Sequence, residues 1–210
     1  AYVDHPSFGT AVIARLLENE ELRVAVVPQP NWRDDLRDFK KLGIPRLFFA
    51  VTAGVMDSMI NRYTANKRIR SNDAYTPDGR SDMRPDRAVT VYSRILKELY
   101  PDVPILLGGV EASLRRVTHY DYWDDALQPT ILAETGADLL IYGMGEQPPR
   151  ELLKRLREGE NIRAVDDIPQ TAFLRPRNQL PDNQSAEEAR LFTHEECLQD
   201  KRKQAQNFRV

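Results

Sequence analysis

Three short runs set the strongest limit on how this chain can fold: "RLFFAVT" (Arg46 to Thr52), "VPILL" (Val103 to Leu107) and "ADLLIY" (Ala137 to Tyr142). Each is apolar at successive or nearly successive positions. A strand with one wet face alternates apolar and polar residues. A continuous apolar run therefore predicts a strand covered on both faces, the condition met in parallel sheets. "RLFFAVT" reads as a central strand of that kind, and "RVAVV" (Arg23 to Val27) as a shorter buried one. Helical periodicity fills the intervals. Ser7 to Leu17 groups Phe8, Val12, Ile13, Leu16 and Leu17, with Ser7 placed to cap the first turn. "DDLRDFKKLG" has acids in its first turn, lysines in its last and Gly43 at its end, the charge order that suits a helix dipole. Pro85 opens a helix through Tyr100 with Val89, Tyr92, Ile95, Leu96 and Leu99 on its inner face, and "PPRELLKRLREGE" follows the last apolar run as another helix.

Alternating strands and helices of this kind predict an α/β fold: a Rossmann-like or flavodoxin-like open parallel sheet with helices on both faces. The expected α/β domain covers residues 1–162 and carries a long polar insert at 62–87. Residues 163–210 form an irregular C-terminal extension, in which "IPQTAFLRP" suits an edge strand and Thr193 to Phe208 a solvated helix capped by Thr193. The chain opens on three strand-like residues, Ala1 to Val3, without an initiator methionine, and stops just after a charged amphipathic run. It reads as a fragment of a longer polypeptide, its first strand completed by residues not included; the alternative is a complete small protein that has lost its initiator methionine.

Composition removes several classes. The 30 basic and 32 acidic residues leave a net charge of -2, so nothing draws the whole chain to nucleic acid or to an anionic membrane. No apolar run approaches the roughly 20 residues that span a bilayer, and the expected location is the cytoplasm. The single cysteine, Cys197, rules out an internal disulfide and cannot alone hold an iron–sulfur cluster. The three histidines, His5, His119 and His194, lack i, i+3 or i+4 spacing, so no metal site is legible. "GMGEQP" has two glycines of a dinucleotide fingerprint, but Pro148 replaces the third, and the Gly-Lys-Ser/Thr of a phosphate loop is absent.

Open parallel sheets bind ligands beyond the carboxyl ends of their strands. Four loops belong there: "DHPSFG", "TAGVMDS", "GGVEAS" and "GMGE". They supply the candidate cofactor-binding residues Asp4, His5, Ser7, Thr52, Gly108, Gly109, Glu111, Gly143, Gly145 and Glu146. Candidates for a substrate or interdomain surface are Asp57, Asn61, Arg62, Arg115, His119, Tyr120 and Asp121. The last three lie in "THYDYWDD", where His119 and Asp121 could exchange a proton, or where the tyrosines and Trp123 simply pin a loop. The insert holds seven basic and four acidic residues. It reads as a solvated loop, a surface that docks on a neighbouring domain, or a site for RNA through arginines interleaved with Tyr63 and Tyr75.

Several long peptides carry a family resemblance: "AYVDHPSFG", "FFAVTAGVMDSMINRYTA", "SNDAYTPDG", "RPDRA", "LGGVEASLRRVTHYDYW" and "ADLLIYGMGE". Over nearly its whole length the chain resembles the YgiQ-like family of radical SAM proteins. The resemblance implies the N-terminal region of a larger bacterial-type protein with a cobalamin-binding-like fold. It also implies a downstream radical SAM core, where a C-x-x-x-C-x-x-C motif would hold a [4Fe–4S] cluster with S-adenosylmethionine; that motif is absent here. A cobalt-ligating loop reads D-x-H-x-x-G, whereas Asp4, His5 and Gly9 give D-H-x-x-x-G. Three functional readings follow. The first is an accessory domain covering the radical SAM core, with Asp57 to Tyr63 and Glu111 to Trp123 facing it. The second is a cobalamin- or nucleotide-binding module, and the third RNA docking through the insert.

Overall fold

The computed structural model describes residues 8–179 and 189–209. Ser7 with its expected cap, Asp4, His5 and the opening strand stub lie outside them. The chain begins with α1 (Phe8–Asn19), α2 (Arg37–Lys40), β1 (Phe49–Val51), α3 (Ser58–Arg62) and α4 (Ala88–Leu99). There follow β2 (Ile105–Leu107), α5 (Gly109–Leu114), the pair β3 (His119–Asp121) and β4 (Ala126–Gln128), and α6 (Ile131–Thr135). β5 (Leu139–Ile141), α7 (Gln147–Arg157), β6 (Thr171–Ala172), α8 (His194–Gln199) and α9 (Lys201–Asn207) complete it.

The predicted α/β architecture is present, with a mostly parallel sheet flanked by helices. Strand order is β1-β2-β5-β6. β1, β2 and β5 are parallel, pairing Val51 with Leu107 and Leu106 with Leu139, and β6 closes one edge antiparallel to β5. The apolar runs are continuous because successive side chains enter different cores. Ile105, Leu107 and Leu140 pack with Val89, Tyr92 and Leu96 of α4 and with Ile131 and Leu132 of α6. Leu106 and Leu139 face the other way, onto Leu152 of α7 with Ile162, Val165 and Ile168. α1 joins this second layer, where Leu16 and Leu17 meet Leu153.

The differences from expectation have local causes. Among the described residues β1 has a ladder partner on one side only, β2, where a central position was expected. Residues 23–27 have no ladder partner among the described residues; only Leu22 and Val24 reach a core, beside Phe48 and α1. The helix expected at "DDLRDFKKLG" shrinks to the single turn α2. The carboxylates of Asp34 and Asp35 accept from the backbone N–H groups of Leu36 and Arg37, and these turns compete with helix. α4 starts at Ala88, not at Pro85, because Arg87 takes a left-handed conformation with φ 50°. The expected C-terminal helix is two. Asp200 is extended, ends α8, and caps α9 by accepting from Arg202 N. Thr193 caps α8 as predicted, in a reciprocal box with Glu196.

Leu140 is fully buried between the two layers. Leu140→Ala should lower stability by about 3 kcal/mol, read as a lower urea midpoint at unchanged slope. Ile44→Ala, at a position 68% exposed, should stay within about 0.5 kcal/mol.

Candidate functional site

The loops after β1 and β2 meet beyond the sheet. Gly109 has φ +82°, and a Cβ there would lie 2.4 Å from Thr52 Oγ1. Only glycine fits both that backbone and that contact. Thr52 Oγ1 itself accepts from Gly54 N. The glycine that sequence suggested for a ligand thus seats one loop on another. Gly108 continues the ladder, donating from its N–H to Val51 O at 3.0 Å. Gly143, with φ +71°, lies against the Gln170 side chain, and Gly145 faces Ile13 and Ile141. Glu146 precedes α7 and lines an open groove of about 510 Å³ beside α1, with Val12, Leu16 and Arg150 among its walls.

Under these loops lies a buried polar cluster. Glu111, 1% exposed, accepts from Ser58 N at 2.7 Å and from Val89 N at 2.8 Å. One carboxylate thereby satisfies an orphan donor at the start of both α3 and α4, where helix dipoles favour negative charge. Ser58 Oγ accepts from Ala88 N at 3.1 Å, a second tie between the same two helices. Asp57 caps α3, accepting from Met59 N and Ile60 N, and its other oxygen pairs with Arg115. Arg115 also donates to Glu111 O, while its own carbonyl receives Ile131 N. Buried charges of this kind persist only where they are paired and hydrogen-bonded.

The insert's arginines pair mainly within the insert itself. Arg62 pairs with Asp82 and Asp86, and Arg84 with the buried Asp73. Arg87 reaches across to Asp121 and Asp124 beside the β3–β4 hairpin. Tyr63 stacks on Trp123 with centroids 5.7 Å apart, and Lys67 donates to Trp123 O. Arg62, Arg84 and Arg87 are therefore used inside the domain, which leaves less of the insert's charge for RNA. Asn61 is buried, with no partner for its Nδ2 among the described residues. It lines a cavity of about 10 Å³ with Ser58, Arg62, Asp73 and Arg84, room for at most one water.

Asp121 and His119 do not form a proton-exchanging pair. Asp121 is held by Arg87 and caps the turn, accepting from Trp123 N and Asp124 N. Burial opposes its charge most, but the Asp124 N–H, Arg87 and the Trp123 N–H together outweigh that and hold its carboxyl below the ordinary range. His119 donates through Nδ1 to Val117 O at 3.1 Å. Burial pushes its imidazole down, so it is neutral at pH 7. Tyr120 is exposed and donates to Asp125.

Sequence reading picked out Asp57, Glu111, Arg115 and Asp121 as polar residues at the right edge, and the structure joins the first three. It did not pick out Ser58, Asp73, Arg84 or Arg87. The "MDS" before α3 carries a cap signal, but the Arg84–Asp73 and Arg87–Asp121 pairings have no pattern in sequence.

Among the described residues, no group of three histidine, cysteine, aspartate or glutamate residues could hold a metal ion. Cys197 is buried, and burial raises its thiol pKa. A [4Fe–4S] cluster therefore has no ligand set among them. At the described loops Gly109 lies against Thr52 and Gly143 against the Gln170 side chain. No helix among the described residues is long and apolar enough to cross a membrane.

A family model described as "Radical SAM N-terminal" matches residues 1–210. A UPF0313 protein of Porphyromonas gingivalis is 66% identical over 209 residues, covering 100% of this chain and 33% of the relative. Another UPF0313 protein, from Bacteroides thetaiotaomicron, is 61% identical over 221 residues, covering 100% and 35%. UPF0313 protein GSU2873 of Geobacter sulfurreducens is 48% identical over 210 residues, covering 100% and 34%. The chain spans about a third of the length of these curated relatives, and in them the matched region is the N-terminal part. No solved structure matches.

Glu111→Ala strands two buried N–H donors and should cost about 3 kcal/mol or more in urea unfolding. Glu111→Gln keeps one acceptor and should cost about half as much. Asp121 has a folded pKa below its unfolded one. Its contribution is complete above about pH 4, the unfolded value, and is lost as pH falls through the folded value. Asp121→Asn should be less stable than wild type at pH 7, and the gap should narrow on acidification; a gap that stays constant to acid pH would contradict this account.

Proposed function

The chain belongs to the Radical SAM N-terminal family, and on that premise we propose that it is an accessory α/β domain of a radical SAM iron–sulfur enzyme. The domain covers a downstream catalytic core and helps to form its substrate or interdomain cleft. The observation that carries this reading is the internal use of the conspicuous polar groups. Glu111, Asp57 and Asp121 accept from donors within the domain, and Arg115 donates to Asp57. Such a cluster builds a rigid edge and offers little chemistry of its own. The family implies a [4Fe–4S] cluster and S-adenosylmethionine, which this reading assigns to the downstream part that the longer relatives possess. It also places residues 1–162 in the α/β domain, residues 163–210 in a linking extension, and the protein in the cytoplasm. The candidate interdomain residues are those on outward parts of the two motif-rich segments, Tyr120 among them.

The test is anaerobic reconstitution of the full-length protein with iron and sulfide, followed by an assay of reductive SAM cleavage with and without cobalamin. Cleavage should appear with the cluster and be independent of cobalamin. A full-length protein that assembles no cluster would remove the proposal. Strict dependence on cobalamin, with a shifted cobalamin spectrum, would favour a binding module instead.

A further inference from the structure

α5 is built inside out. Its buried positions hold Glu111 and Ala112, and its C-cap Arg115 is buried as well. Val110 and Leu114, one turn apart on the same face, are 42% and 55% exposed. A surface helix places its apolar stripe inward and its charges outward; here the carboxylate and guanidinium are inside and the aliphatic side chains outside. The flanking residues extend the strip. Gly109 abuts the loop at Thr52 and Gly54, which brings exposed Val55 to one end of α5. Arg116 stacks over the Tyr142 ring at 4.9 Å, which brings exposed Met144 to the other end, and Val117 is 41% exposed. Val55, Val110, Leu114, Val117 and Met144 are thus exposed on and around α5 at the carboxyl end of the sheet, apolar area that calls for a cover.

We infer that this strip is the docking face for the downstream domain of the same polypeptide, an inference that rests on the accessory-domain reading. Two observations choose that occupant over a second copy. The relatives extend well beyond the matched third. The last described helix also brings the chain to this place. Gln204 on α9 donates to Thr118 O at 3.3 Å, and His194 on α8 hydrogen-bonds Thr118 Oγ1. Thr118 adjoins Val117, so α8 and α9, the last described helices, lie beside one end of the strip. Phe208, the C-cap of α9, is 75% exposed.

The experiment places the photocrosslinking residue p-benzoylphenylalanine at Leu114 in the full-length protein, with a control at Ile44, which precedes the amino end of β1. Both side chains are exposed, so neither replacement disturbs the core. After irradiation of dilute protein, crosslinked peptides are mapped by mass spectrometry. The expected result is a crosslink from position 114 to residues beyond 210 within a species of monomer mass, and none from position 44. A crosslink from 114 to a second copy, giving a species of dimer mass, would overturn the inference. So would the absence of any crosslink from 114 to the downstream part. SAM cleavage measured on the same reconstituted preparations separates the two proposals. Cleavage without the crosslink rejects the docking face alone; the crosslink without cleavage rejects the catalytic assignment while the docking face stands.

Discussion

The carboxylate of Glu111 is the constraint on which the rest of this domain depends. It ends two helices at once, taking the Ser58 N–H of α3 and the Val89 N–H of α4. Those helices follow β1 and precede β2, so the position of one side chain relates two strand-to-helix connections. In water the same carboxylate would be fully solvated. Here it trades that solvation for two charge-assisted bonds in a place where water does not compete. Arg115, one turn further along α5, neutralises Asp57 and receives no direct help from solvent. Most of the cluster's hydrogen bonds tie carboxylates to backbone N–H groups of the fold, with the Asp57–Arg115 pair beside them.

That matching bears on how function should be sought. A reactive carboxylate or histidine needs spare valence, a lone pair or proton aimed at something absent. Asp121 has its oxygens engaged by Arg87 and by two turn N–H groups. His119 directs its Nδ1 proton to Val117 O, a bond that leaves only Nε2 to act. What the carboxyl edge offers outward is shape and apolar area. The domain is matched by a radical SAM N-terminal family model over its whole length, and the proposed covering role would use that surface.

Much of the fold was legible from sequence because burial on both faces leaves an unmistakable run. Ile105, Leu106 and Leu107 could be assigned to a strand before any partner was known. The four-residue helix α2 was over-read, since periodicity does not show that Asp34 and Asp35 spend their carboxylates on nearby N–H groups. "RVAVV" was read as a strand because its side chains suit one, but a strand exists only with a paired neighbour, and composition is silent about that. The β3–β4 hairpin went unread because polar and aromatic residues fill it. The candidate site shows the same division. Its location at the carboxyl edge followed from topology. The inward commitment of Glu111, Asp57 and Arg115 did not, because each is fixed by a partner more than 20 residues away.

Those separations have a kinetic meaning. The Ser58–Glu111 bond spans 53 residues and the Asp57–Arg115 pair spans 58. Neither can form until the chain between them has been gathered, and the entropy of closing such loops must be met before the contacts return anything. The β1–β2 ladder, which pairs Phe49 with Ile105, closes a loop of similar size, so sheet and cluster share that entropy cost and hold the same arrangement together. A carboxylate that first looked like a ligand for a cofactor serves as a latch on the assembled sheet.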